Sequence, residues 1–218
     1  MTGVADAVTE GILPGRVWLY SNYHCNLACA YCLTESAPSS ARRQLSDTEM
    51  LAIAGQARAL GFTELGVTGG EPFMSASIPA TIAAMADMLP VVVLSNATLF
   101  SDRRLDALAP LRELPVAIQV SLDRPDPDTN DAMRGPENYA TVLDAIPRLV
   151  ARGIRVRLAT TIDPDSPADD AEREQLCALH RGFGIPDEDH IVRPSSAAAG
   201  PAPAGSASKS PPRTCPQS

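Results

Sequence analysis

The chain has no stretch of about 18 consecutive apolar residues, so it carries no membrane-spanning helix. Residues 1–15, MTGVADAVTEGILPG, lack the basic start and apolar centre of a secretory signal. The cytoplasm is therefore the expected compartment. Positive charge is scarce as well: the net charge is -8, which argues against a nucleic-acid backbone as main partner. Lys209 is the only lysine and arginine supplies the rest of the 18 cations, a skew that reflects genomic base composition more than function. Cysteines number five, three of them clustered, so they do not read as a disulfide framework. In a reducing compartment such a cluster reads as metal-binding. What remains is 218 residues of ordinary hydrophobic content, enough for one sizeable core and one domain.

Residues 1–15 read as a loose lead-in. Strands are expected at Arg16–Tyr23, Glu64–Thr68, Val91–Ser95, Val116–Leu122, Arg155–Ile162 and His190–Arg193. Ser46 and Glu49 form a capping box for a helix that runs to Leu60 and stops at Gly61. Further helices are expected at Ile78–Met88, Asp102–Leu108, Tyr139–Arg152 and Ala168–Phe183, with a Pro- and Asp-rich loop before Met133-Arg134-Gly135. Six alternations of strand and helix mean an α/β fold with a parallel sheet. The pattern alone leaves an open doubly wound sheet and a barrel or partial barrel in competition. After Arg193 periodicity stops. Residues 194–218 form a Pro/Ala/Ser-rich tail that cannot bury enough to fold, and no sixth helix follows the sixth strand.

The stretch that organises the rest is Cys25-Asn26-Leu27-Ala28-Cys29-Ala30-Tyr31-Cys32. Soft thiolates select iron–sulfur clusters, zinc or copper(I). A structural zinc or an ordinary cubane takes four protein ligands, and here there are three. Three close thiols suggest a [4Fe–4S] cluster with one iron open to a small molecule; a zinc loop is the alternative. Downstream, Gly69-Gly70-Glu71-Pro72 ends the second strand, where glycines let backbone approach a ligand closely and Glu71 supports the geometry. By itself this segment could also be a plain turn. Cys177, in a helical pattern, reads as a buried structural thiol, and His24 as a loop hydrogen-bonder.

Cys-x3-Cys-x2-Cys with an aromatic before the last Cys, followed by GGEP, resembles the signature of the radical S-adenosylmethionine (radical SAM) enzymes. The resemblance implies a three-quarter (β/α)6 barrel over residues 16–193, with the last helix missing here. It implies Cys25, Cys29 and Cys32 as ligands of a [4Fe–4S] cluster, and S-adenosyl-L-methionine on the open iron. One electron, from a donor such as flavodoxin or ferredoxin, then splits the sulfonium and yields a radical that takes hydrogen from substrate. Cofactor contacts implied are Tyr31 near the adenine, the Gly69, Gly70, Glu71, Pro72 segment, Ser95 and Asn96, Ser121 and Asp123 of VSLD, and Arg134 toward the methionine carboxylate. These positions gather at the C-terminal ends of strands, where barrel folds keep their reactive groups. Where relatives carry Asn-Gly-Thr this chain has Asn96-Ala97-Thr98, so a tight glycine turn is expected to be lost. Arg193 points toward the same rim.

The resemblance is nearest the branch with peptide-modifying enzymes and the GTP cyclase of molybdenum-cofactor synthesis. Both usually carry further cysteines after the barrel. Cys177 and Cys215 are too few and too separated for a second cluster. An accessory protein that holds metal without turnover, or a fragment of a longer enzyme, stands as the alternative. The substrate, a small molecule or a peptide, is not readable.

Overall fold

The computed structural model describes residues 3–162 and 167–194. One sheet holds six strands: β1 (Arg16–Asn22), β2 (Glu64–Gly69), β3 (Val91–Ser95), β4 (Val116–Ser121), β5 (Arg155–Ile162) and β6 (His190–Pro194). Every pairing is parallel and the order is β1-β2-β3-β4-β5-β6. A doubly wound sheet would reverse its strand order at a switch point. Strictly sequential order instead puts every crossover helix on one side and curls the sheet into an arc. That settles the competition in favour of the partial barrel.

Seven α-helices are described: α1 (Val4–Thr9), α2 (Asp47–Ala59), α3 (Ile78–Ala86), α4 (Asp102–Asp106), α5 (Pro127–Arg134), α6 (Asn138–Ala151) and α7 (Pro167–Gly182). The capping box of α2 forms as read, with Ser46 N–H donating to Glu49 Oε2 at 2.7 Å, and Gly61 follows with φ +82°. α1 occupies the lead-in and buries none of its residues. α5 replaces the loop read between β4 and Met133. Its Pro and Asp are start signals: Asp126 caps by accepting from Thr129 N–H at 2.9 Å, and Pro127 sits in the first turn, where a missing N–H is harmless. Residues 195–218, including Cys215, and the side chain of Arg193 lie outside what is described. No helix among the described residues is long and apolar enough to cross a membrane.

The strands sort their side chains by alternation. Leu19, Leu65, Val67, Val93, Ile118, Val120 and Leu158 face the helices and share one core with Met50, Ile82, Met85, Leu105, Ile146 and Leu149. The other, inner face carries Trp18, Gly66, Val92, Ala117, Gln119 and Arg157, none of which joins that core. The Trp18 ring lies so close over Gly66 that a Cβ there would fall 2.2 Å from Cε3. β1 and β6 do not pair, so the arc stays open at its side. Cys177 on α7 is buried, as expected, but is disulfide-bonded rather than a free thiol.

Candidate active site

The cysteine loop leaves β1 where the register with β2 slips, so that Asn22 meets Gly69. There the two loops are laced together. Gly70 N–H donates to both Asn22 O (2.9 Å) and Asn22 Oδ1 (3.0 Å). Glu71 N–H donates to His24 O (3.1 Å), and Asn22 Nδ2 donates to Glu71 O (2.9 Å). A Cβ at Gly70 would sit 2.1 Å from His24 O, which only glycine avoids. The close approach these glycines permit is thus to the cysteine loop itself. Asn22 is central to the junction, and only its place at a strand end could have flagged it.

Glu71 is fully buried and faces three donors: Asn96 N–H at 2.7 Å, Phe73 N–H at 3.0 Å and Ser95 Oγ at 3.0 Å. Burial pushes its carboxyl up to about 7, against the pull of those donors. It therefore ties the end of β2 to the end of β3, with Ser95 beneath it and Pro72 starting a buried one-turn helix. Asn96 continues the chain of bonds, donating from Nδ2 toward Cys25 Sγ (3.6 Å) and Asn26 Oδ1 (3.0 Å). Asn26 donates to Thr98 Oγ1 at 2.8 Å, so it shapes the loop, as read. Ala97 keeps the tight turn with φ +58°. The turn expected to be lost is retained.

A second brace comes from β4 and α5. Asp123 is buried; its Oδ2 accepts from Arg134 Nε at 2.7 Å and from the Tyr31 hydroxyl, and its Oδ1 accepts from Thr161 N–H at 2.9 Å. Asn130, missed together with α5, accepts from Asp123 N–H at 3.2 Å. Arg134 lies 5.8 Å from the Tyr31 ring centroid. Burial opposes its charge, yet Asp123 beside it holds the guanidinium above its ordinary range. Burial likewise holds the Tyr31 phenol far above its usual value. The helix end also grips the cysteine loop, with Ala30 N–H donating to Met133 O at 3.0 Å. The terminal nitrogens of Arg134 have no hydrogen-bond partner among the described residues, and neither has the Ser121 hydroxyl at the end of β4.

Cys25, Cys29 and Cys32 are all free thiols. Burial raises Cys25 and Cys29; at Cys32 burial is outweighed by bonds from Thr34 and Ser36, which lower it. Leu27 N–H points at Cys25 Sγ and Ser36 N–H at Cys32 Sγ, each at 3.4 Å. Such N–H donors favour thiolates. Zinc at about 2.3 Å from each sulfur would hold tetrahedral thiolates about 4 Å apart. The three sulfurs do not all lie within 4.8 Å of one another, and no compact group of ligand atoms among the described residues includes them. The donor set fits a larger multi-iron group better than a single zinc. His24 hydrogen-bonds Ser40 O at 3.3 Å, as read.

The sequence model described as the Radical SAM superfamily matches residues 19–178. GTP 3′,8-cyclase of Chlorobaculum tepidum is 31% identical over 140 residues, covering 62% of this chain and 41% of that protein. The GTP 3′,8-cyclase of Parasynechococcus marenigrum is 32% identical over 179 residues, covering 75% and 49%. The chain thus spans about half the length of these relatives, or less. Among solved structures, Streptococcus suis SuiB bound to S-adenosylmethionine superposes with a TM-score of 0.71 at 18% identity, over 87% of this chain and 43% of SuiB.

Proposed function

Because this chain belongs to the radical SAM superfamily, whose members use a [4Fe–4S] cluster and S-adenosylmethionine, we propose that it cleaves S-adenosylmethionine reductively and abstracts hydrogen from a small-molecule or peptide substrate. The observation that carries this reading is the set of three free thiols brought together on one loop, two of them faced by backbone N–H donors. Cys25, Cys29 and Cys32 hold the cluster. When bound, the cluster and S-adenosylmethionine together supply the electron transfer and the radical. The chain's own residues supply position. Asn96 and Leu27 N–H orient Cys25. Gly69, Gly70, Glu71 and Pro72 fix the strand end beside the open corner. Arg134, with its Nε anchored on Asp123, turns its terminal nitrogens to the methionine carboxylate. Tyr31, tethered by its hydroxyl, offers a ring face to the adenine. Ser121, Ser95 and Asn96 line the ribose side. A flavodoxin or ferredoxin type of donor delivers the electron, in the cytoplasm, with no nucleic acid or membrane as partner.

The test is anaerobic reconstitution with iron and sulfide counts, followed by assay of 5′-deoxyadenosine under dithionite. Formation of the nucleoside supports the enzyme. A bound cluster without cleavage would replace it with an accessory, cluster-holding role.

A further inference from the structure

Below the rim, the inner face of the sheet holds a polar pair that the cofactor loops do not use. Gln119 on β4 is fully buried, and neither Oε1 nor Nε2 has a hydrogen-bond partner among the described residues. A buried amide left unpaired is destabilising, and proteins keep few of them. Ile118 and Val120 face the helices, so alternation puts Gln119 on the inner face. It lies about 7 Å, two residues of strand, below Ser121 at the rim. Its register partner on β5 is Arg157. The Arg157 Nε is also buried without a hydrogen bond.

Arg157 is the weakly matched cation of this face. Asp189 accepts two hydrogen bonds from Arg155, at 2.9 and 2.8 Å, and meets Arg157 only at 3.4 Å. Arg155 also has Glu188 near it, and Arg16 is paired with Glu64. Burial pulls its pKa down, as it does for a cation with too little compensation. The same inner face carries the Trp18 ring on Gly66, and among the described residues β1 and β6 do not pair.

We propose that Gln119 and Arg157 form an anion subsite on the inner face, which takes a carboxylate or phosphate oxygen of the substrate. Arg157 and Gln119 Nε2 donate to the anion, and Gln119 Oε1 accepts from an N–H or O–H beside it. This rests on the reading that the rim above binds S-adenosylmethionine, since the subsite then holds substrate beneath the reacting centre.

Two probes separate the sources of the anion: N-acetylglycine, a carboxylate next to an N–H, and glycerol phosphate, a phosphate near hydroxyls. Each is titrated calorimetrically into the anaerobically reconstituted full chain, into Gln119→Leu and into Arg157→Gln. One of the two should bind the unaltered protein in the millimolar range and at least tenfold more weakly in both variants. Gln119→Leu should also raise the urea midpoint, because it removes two unpaired buried polar atoms. A purely structural Gln119 would lower it. The subsite is overturned if neither probe binds, if Gln119→Leu binds as the unaltered chain does, or if its midpoint falls. Anion binding needs no cleavage. Loss of binding in the variants, in a protein that makes no 5′-deoxyadenosine, would therefore remove the proposed activity and leave the subsite standing.

Discussion

The rim of the arc and the inner face below it treat polar groups in opposite ways. At the rim, Glu71, Asn96 and Asp123 are buried and each makes several hydrogen bonds. One layer down, Gln119 is as buried and makes none. The three rim side chains are satisfied within the chain, so they rigidify the loops and hold them in place for a cofactor. The inner face is incomplete among the described residues, which is where the proposed anion would complete it. Substitutions should therefore harm the protein at the rim and relieve it on the inner face.

The largest effect belongs to Cys29→Ala. Three thiols are the minimum for an open-cornered cubane, so this variant should fall from about four irons per chain to background. The brown colour, with absorbance at about 400 nm, should go with the iron. Iron analysis after anaerobic reconstitution checks it; full iron retention would break the assigned ligation.

Next is Glu71→Ala. It strands the Asn96 and Phe73 N–H groups and the Ser95 hydroxyl in the interior. At about 1–3 kcal/mol for each unsatisfied donor, and with partial relaxation, stability should fall by about 3–5 kcal/mol in urea unfolding. Set against the gain expected for Gln119→Leu, this pair of variants is the sharpest test of the contrast. Two losses of similar size would mean the two layers do not differ.

A third buried region, between α7 and β6, should respond to pH. His190 bonds Thr160 Oγ1 through Nε2 at 2.9 Å and lies 3.6 Å from Cys177 Sγ. His180, Asp187 and Arg173 are the charged or titratable groups around it. Burial, with His180 adding to it, lowers His190 from 6.5 to about 4. A base with a depressed folded value stabilises the fold fully above its unfolded value, and that share is lost as pH falls through the folded one. The window is therefore 6.5 down to about 4. Between about pH 7 and about pH 5 this share should fall by about 2 kcal/mol. Glu71, raised to about 7, acts with the opposite sign over the same range, gaining stability as it protonates. His190→Gln should therefore leave a chain that gains stability toward about pH 5 in urea titrations; a pH dependence the same as that of the unaltered chain would assign the loss elsewhere.

Much of this architecture is written locally. The Ser46–Glu49 capping box, the six short apolar or alternating strands and the three thiols are short-range patterns, and each lies within a residue or two of its reading. Partnership across the fold is not local. Glu71 and Arg134 read as groups facing a ligand. Yet Glu71 gives its carboxylate to Phe73 and to Ser95 and Asn96, 24 and 25 positions away, and Arg134 gives its Nε to a residue 11 positions away. Gln119 sits in a strand, VAIQVSL, whose register with Arg157 is set 38 positions downstream. α5 was hidden because Pro and Asp signal both loops and helix starts, and the choice depends on what Asp123 and Asn130 do after folding.

The smallest effect tests how firmly the rim holds its own strain. Ala97 sits at φ +58°, a conformation that costs a residue bearing a Cβ about 1 kcal/mol. Glycine would relieve this. It would also surrender a buried methyl, about 0.8 kcal/mol, and make the unfolded chain more flexible by a comparable amount. The terms nearly cancel, and Ala97→Gly should lower stability by less than about 1 kcal/mol. The turn survives without glycine because Ala97 N–H donates to Ser95 Oγ, and Asn96 Oδ1 accepts from Thr98 N–H, both at 3.0 Å. Ser95 in turn is fixed by Glu71. In a Glu71→Ala background Ser95 loses its anchor, so the effect of the same glycine substitution should change. A double-mutant cycle with no coupling between the two sites would show that the turn stands without the brace.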